Sequence, residues 1–104
     1  MRKTDRAWLA GILEGEACFD WNDALKKYPR IRIEMRDEDV IKRVQKLCGG
    51  NAKVIPHNRS NPKHNTTYSF QVAERNAVKD VLLAVYPWMG KRRRQIIDEL
   101  LNVL

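Results

Sequence analysis

The sequence predicts an α+β domain: one four-stranded antiparallel sheet with helices packed on one face and the other face open. Three observations predict it. Residues 5–15 form a helical segment that is apolar on nearly every side. Two pairs of short segments, 17–23 with 30–36 and 51–56 with 66–72, alternate polar and apolar residues at the period of a strand. An amphipathic helical stretch follows each pair, which gives the order α-β-β-α-β-β-α-α with a further helix at the end. A chain of 104 residues is expected to form a single domain, 1–104.

Each element has its own local signal. Thr4 or Asp5 is placed to cap the first helix, which runs to about Gly15. In the first strand Cys18, Asp20 and Asn22 lie on one side, and Ala17, Phe19 and Trp21 on the other. A turn over 24–29 closes at Pro29. In the second strand Arg30, Arg32, Glu34 and Arg36 oppose Ile31, Ile33 and Met35. Asp37 or Asp39 opens the second helix, whose stripe is Val40, Ile41, Val44, Leu47 and Cys48, and Gly49-Gly50 stops it. The third strand sets Asn51, Lys53 and Ile55 against Ala52, Val54 and Pro56, and a polar loop spans 57–65. In the fourth strand Tyr68, Phe70 and Val72 face inward while Thr67, Ser69 and Gln71 face out. A third helix starts at Asn76 with Ala77, Val78, Val81, Leu82 and Val85 as its stripe and ends before Pro87. The last begins near Lys91 and carries Ile96, Ile97, Leu100 and Leu101.

Charge points to a polyanionic partner. Twenty Lys and Arg against thirteen Asp and Glu give a net charge of +7. No run of about eighteen apolar residues and no signal-peptide pattern is present, so a soluble, intracellular protein is expected. Cys18 and Cys48 form no CxxC pair, and both are expected to be reduced core thiols.

The open sheet face would present Asp20, Asn22, Arg30, Arg32, Glu34, Arg36, Asn51, Lys53, Ser69 and Gln71, a set of donors and acceptors suited to base edges and phosphates. Alternating arginines on one strand repel one another unless something negative binds. The aromatics Phe19, Trp21, Tyr68 and Phe70 fall on the inner face. Single-stranded RNA readers expose such rings for stacking, so the pattern favours duplex DNA. His57, Arg59 and Lys63 in the polar loop add contacts to nucleic acid. His57 and His64 lack the surroundings of a histidine-based metal hairpin.

Leu9-Ala-Gly-Ile-Leu-Glu-Gly-Glu-Ala-Cys-Phe19 resembles the signature of the LAGLIDADG homing endonucleases, and the element order matches their αββαββα core with its saddle-shaped sheet over almost the whole chain. The resemblance implies a site-specific DNA endonuclease that makes metal-dependent double-strand breaks for intron, intein or gene homing. Glu16 corresponds to the acid that binds magnesium (or manganese), and the Ala17 carbonyl to a second oxygen ligand. A single motif implies a homodimer and a near-palindromic target. Gly11 and Gly15, with Trp8 and Ile12, would seat the motif helix of the second subunit. Lys91 or Arg92, in the run Lys91-Arg92-Arg93-Arg94, would reach the scissile phosphate. Arg93 and Arg94 would anchor DNA, and Asp37 would stand near the active-site waters. A binding protein of the same fold that does not cut, either an RNA maturase or a transcriptional regulator, is the competing class.

The chemistry agrees with a cutting enzyme. Hard divalent ions activate water and stabilise a leaving oxygen. A carboxylate at a helix C-terminus faces the unfavourable end of the dipole, which a cation offsets. The sequence departs from the signature at Ile12-Leu13 (order reversed), at Glu14 (Asp in the signature) and at Ala17 (Gly in the signature). A positive φ at Ala17 would be costly.

Overall fold

The computed structural model describes residues 1–49, 52–57 and 66–104. Helix α1 (Lys3–Glu16) runs without a loop into β1 (Ala17–Trp21), followed by β2 (Pro29–Met35), α2 (Glu38–Cys48), β3 (Ile55–His57), β4 (Thr67–Val72), α3 (Arg75–Val85) and α4 (Lys91–Leu101), with a 3-10 turn at Tyr86–Trp88. All strands pair antiparallel in the spatial order β1-β2-β4-β3. The α+β architecture expected from the sequence is the one observed.

The β1–β2 hairpin is closed by a turn in which the Asp23 carboxylate accepts hydrogen bonds from the Lys27 and Tyr28 amides at 2.9 and 3.1 Å. Lys26 takes the left-handed conformation there. Strand alternation puts Ala17, Phe19, Ile31, Ile33, Phe70 and Val72 on the inner face, all buried. Leu9, Ala10 and Leu13 of α1 join Ile41 and Val44 of α2, Val78, Leu82 and Val85 of α3, and Ile97 and Leu100 of α4 to cover that face. Leu13 is fully buried, so Leu13→Ala should cost about 3 kcal/mol through lost transfer energy and the cavity left behind. Urea denaturation reads this directly.

Several boundaries differ from the sequence expectation. Helix α1 starts at Lys3, with Arg2 in the cap position and no side-chain cap; Asp5 lies in the first turn instead of capping it. Helix α3 starts at Arg75 rather than Asn76, capped by Glu74, whose carboxylate accepts from the amides of Asn76 and Ala77. Strand β3 is shorter than 51–56. Among the described residues of this segment, Ile55–His57 are the ones that pair with β4, so Lys53 precedes the strand, and Asn51 lies outside the described residues. Arg36 follows the end of β2 and is not a rung of the sheet face. Helix α2 stops where expected, at Gly49 with φ 69°, a conformation suited to glycine.

The second face of α1 is small rather than apolar all round. Trp8 and Ile12 are half-buried, whereas Ala7, Gly11, Gly15 and Glu16 are exposed. The Arg43 guanidinium lies 3.9 Å from the centre of the Trp8 ring, so that ring is partly covered within its own subunit. A Cβ added at Gly11 or at Gly15 would meet nothing within 4 Å, so these glycines are not required by packing inside the subunit.

Candidate nucleic-acid interface and metal site

The register of the sheet arranges the open face in rows. Asp20 stands opposite Arg30; Cys18, Arg32 and Gln71 form the next row; Glu34, Ser69 and Ile55 form the third; Thr67 and His57 the fourth. Glu16, the last residue of α1, stands at the edge of these rows because the helix passes directly into β1. Glu16, Cys18, Arg32, Glu34, Ser69 and Gln71 together line a cleft of about 430 Å³.

The face is cross-linked by its own side chains. Arg30 Nε donates to Asp20 Oδ1 at 2.7 Å, its Nη2 to Asp20 Oδ2 at 3.4 Å and its Nη1 to Asn22 Oδ1 at 2.9 Å. Arg32 Nη2 donates to Asp20 Oδ2 and makes a weak contact with Cys18 Sγ. Thr67 Oγ1 donates to Glu34 at 2.7 Å, and His57 Nε2 shares a hydrogen bond with Ser69 Oγ at 2.6 Å. The expected repulsion between alternating arginines is therefore relieved internally, by Asp20 between two of them. Partial burial alone would raise the Asp20 pKa. Hydrogen bonds from Arg30 and Arg32, with their charges, outweigh it and hold the carboxyl below the usual carboxylate range.

The two cysteines separate. Cys48 is a core thiol, and burial pushes its pKa up to about 12. Cys18, expected in the core, is exposed, because it alternates with Asp20 onto the open face. A thiol reagent should therefore modify Cys18 rapidly in the native protein and Cys48 only on unfolding; mass spectrometry of the labelled peptides distinguishes the two.

At the far end of α1 the motif meets α4. The Arg93 guanidinium donates through Nη1 to the Ala17 carbonyl at 2.6 Å and through Nη2 to the Glu14 carbonyl at 2.9 Å, with its carbon 5.2 Å from the centre of the Phe19 ring. Helix α1 has no basic residue of its own in its last turn, and Arg93 supplies that cation. Two residues expected at the site meet here. Arg93, expected to anchor DNA, is half-buried and spends two of its donors on backbone carbonyls of the motif. The Ala17 carbonyl, expected as a second oxygen ligand, accepts a hydrogen bond from the Arg93 guanidinium, a cation that competes with a divalent ion for that oxygen. Ala17 is extended at φ −88° and ψ 155°, so it takes no positive φ and carries no backbone strain.

Glu14, the other acid of the motif, is turned away from the cleft. A Cβ on Gly90 would come within 2.9 Å of Glu14 Oε1, so glycine at the start of α4 is what admits this carboxyl. It lies beside Gly90, the cap residue of α4, and its Oε2 is buried with no hydrogen-bond partner among the described residues. Lys91, Arg92 and Arg94 are exposed, at the end of α4 that Arg93 ties to the end of α1. Asp37 occupies the cap position of α2 and does not line the cleft. Arg59, Lys63 and His64 lie outside the described residues. Among the described residues no group of three or more His, Cys, Asp or Glu side chains is placed to hold a metal. No helix there is long and apolar enough to cross a membrane.

No protein-family model matches the chain, and no curated protein matches it by sequence. Solved structures do match. The homing endonuclease I-CvuI, in complex with its target and in the presence of calcium, superposes with a TM-score of 0.69 at 17% identity, covering 97% of this chain and 66% of that one. The homing endonuclease I-TnaI gives 0.67 at 18% identity, over 98% of this chain and 70% of that one. The group I intron-encoded homing endonuclease I-CeuI, complexed with DNA, gives 0.67 at 14% identity, over 97% of this chain and 54% of that one. This chain thus spans about two thirds of the length of the first two and about half of the third. The α-β-β-α-β-β-α arrangement described above is the homing-endonuclease fold.

Proposed function

We propose that this chain is a LAGLIDADG homing endonuclease. On this reading it binds duplex DNA on the open sheet face and makes double-strand breaks with a divalent metal, as a homodimer on a near-palindromic site. One observation carries the reading. The acid that ends the motif helix, Glu16, opens into the cleft of a sheet face lined with Arg32, Ser69 and Gln71, while the exposed glycines of the same helix leave room for a second copy. A protein that only binds DNA gains nothing from an acid facing phosphates. The solved DNA complexes of I-CvuI and I-CeuI support the choice of partner.

The donor set fits magnesium or manganese. Glu16 offers one exposed hard carboxylate, and an ion of this kind is held by one or two carboxylates, water and substrate oxygens rather than by a protein cage. When bound, the ion activates water and stabilises the leaving oxygen of the phosphodiester. Glu16 would hold it at the end of a helix whose dipole a cation offsets. Lys91 and Arg92 place positive charge near the scissile phosphate. Arg92 stays protonated and only stabilises charge, so Lys91 is the one able to exchange a proton. Incubating the protein with plasmid carrying candidate sites, in magnesium or in EDTA, tests the reading. Linear product in magnesium alone is expected, and no cleavage in either condition would remove the nuclease assignment.

A further inference from the structure

We infer that Arg32 reads a guanine in the target, that Asp20 holds it in the reading position, and that Arg30 is the buttress of this pair rather than a second reader. The inference rests on the DNA-binding part of the proposed function and not on cutting.

The two arginines are adjacent rungs of β2 on the same face, yet their donors are spent differently. Each of the three guanidinium nitrogens of Arg30 is hydrogen-bonded to Asp20 or Asn22, and its side chain is 22% exposed. It has no free edge for a base. Arg32 is 45% exposed and lines the cleft. Only its Nη2 is engaged, by Asp20 and, at 3.6 Å, weakly by Cys18; among the described residues Nε and Nη1 have no partner, and a base completes a two-donor edge by taking the second Nη2 N–H from the weak Cys18 contact. Guanine is the base that presents two acceptors, N7 and O6, side by side in the major groove, which matches the planar fork of an arginine.

Asp20 makes that fork ready. A free arginine loses rotamer entropy when it is ordered on a base. Here one end of the guanidinium is already fixed, and the fixing carboxylate is itself held at 2.7 Å by Arg30. The next residue in the Arg32 row, Gln71, is half-buried on the neighbouring strand and can address an adjacent base. The carboxylate also disfavours a simple phosphate contact, because it neutralises part of the charge that a phosphate would seek.

Selection from a random duplex library tests this, using the full chain without metal so that binding alone is read. Wild-type sites should carry guanine at one position per half-site. Arg32→Lys keeps the charge but removes the fork, and should lower the preference for guanine at that position by about 10- to 100-fold while leaving other positions unchanged. Asp20→Asn should weaken the same position only, and combining it with Arg32→Lys should add nothing. Arg30→Lys should also act on that position and no other.

Three results would overturn the inference. Arg32→Lys could weaken binding uniformly across sequences, which marks a phosphate contact. Arg30→Lys could erase a preference at a different base pair. Asp20→Asn could leave the profile unchanged. A wild-type protein that selects no sequence at all would instead remove the DNA-binding reading beneath it.

Discussion

Glu16→Gln should lower metal-dependent cleavage by about a thousandfold while leaving the protein folded and able to bind DNA. The metal's stabilisation of a developing negative charge is worth several kcal/mol, and each ~1.4 kcal/mol is a factor of ten in rate. Gln keeps the shape of the side chain and loses only its charge. Glu16 is exposed and sits at the C-terminal end of α1, the unfavourable end of the helix dipole for a carboxylate. With Arg93 already supplying a cation at that helix end, its neutralisation should leave stability nearly unchanged, and in EDTA the variant should bind DNA as tightly as wild type or more so. Loss of cutting together with unchanged or improved stability and binding is the signature of a metal acid. A structural acid would lose stability first. Cleavage rates, thermal melts and mobility shifts on one protein preparation supply all three readings.

The second large effect concerns Gly11. A Cβ added there meets nothing within 4 Å in the subunit. In an isolated helix, Gly→Ala at such a site should stabilise by about 1 kcal/mol. Assembly should change in the opposite direction. Close approach of two motif helices needs bare backbone on the exposed face, as small residues spaced four apart allow in other helix pairs. Gly11→Ala should therefore raise the melting temperature of the subunit at low concentration and weaken the dimer. Gly11→Leu should abolish the dimer at micromolar protein. Sedimentation across a concentration series separates the two effects, since oligomer stability depends on concentration and subunit stability does not. A dimer that tolerates Gly11→Leu would place the interface elsewhere.

Much of the fold was legible because it is written in local periodicity. Alternation at Arg30–Met35 and Thr67–Val72, and the stripes of α2, α3 and α4, come from burial of one face, which the chain records residue by residue. Pairing is not recorded that way. Strand β2 joins β4 across an intervening helix and strand, and β3 pairs on one side only, so the alternation from Asn51 to Pro56 could not say that only Ile55–His57 would enter the ladder.

The site divides along the same line. Glu16 and the rows of Arg30, Arg32, Ser69 and Gln71 follow from motif and alternation. Arg93 was hidden among four consecutive cations, although a signal existed: it precedes the buried Ile97 by four residues and Leu100 by seven, which puts it on the inner stripe of α4. Cys18 carried a similar signal in its alternation with Asp20. The neutralising role of Asp20 needed the cross-strand register, because only pairing with β2 brings it beside Arg30.

The central claim is that each subunit contributes one Glu16 and that each Glu16 serves one DNA strand. A mixed dimer tests it most directly, with one wild-type subunit and one Glu16→Gln subunit carrying different tags and purified through both. On supercoiled plasmid bearing the selected site, in magnesium, the account predicts that the mixed dimer accumulates nicked circles while the wild-type dimer yields linear DNA. Linear product from the mixed dimer at the wild-type rate would contradict it.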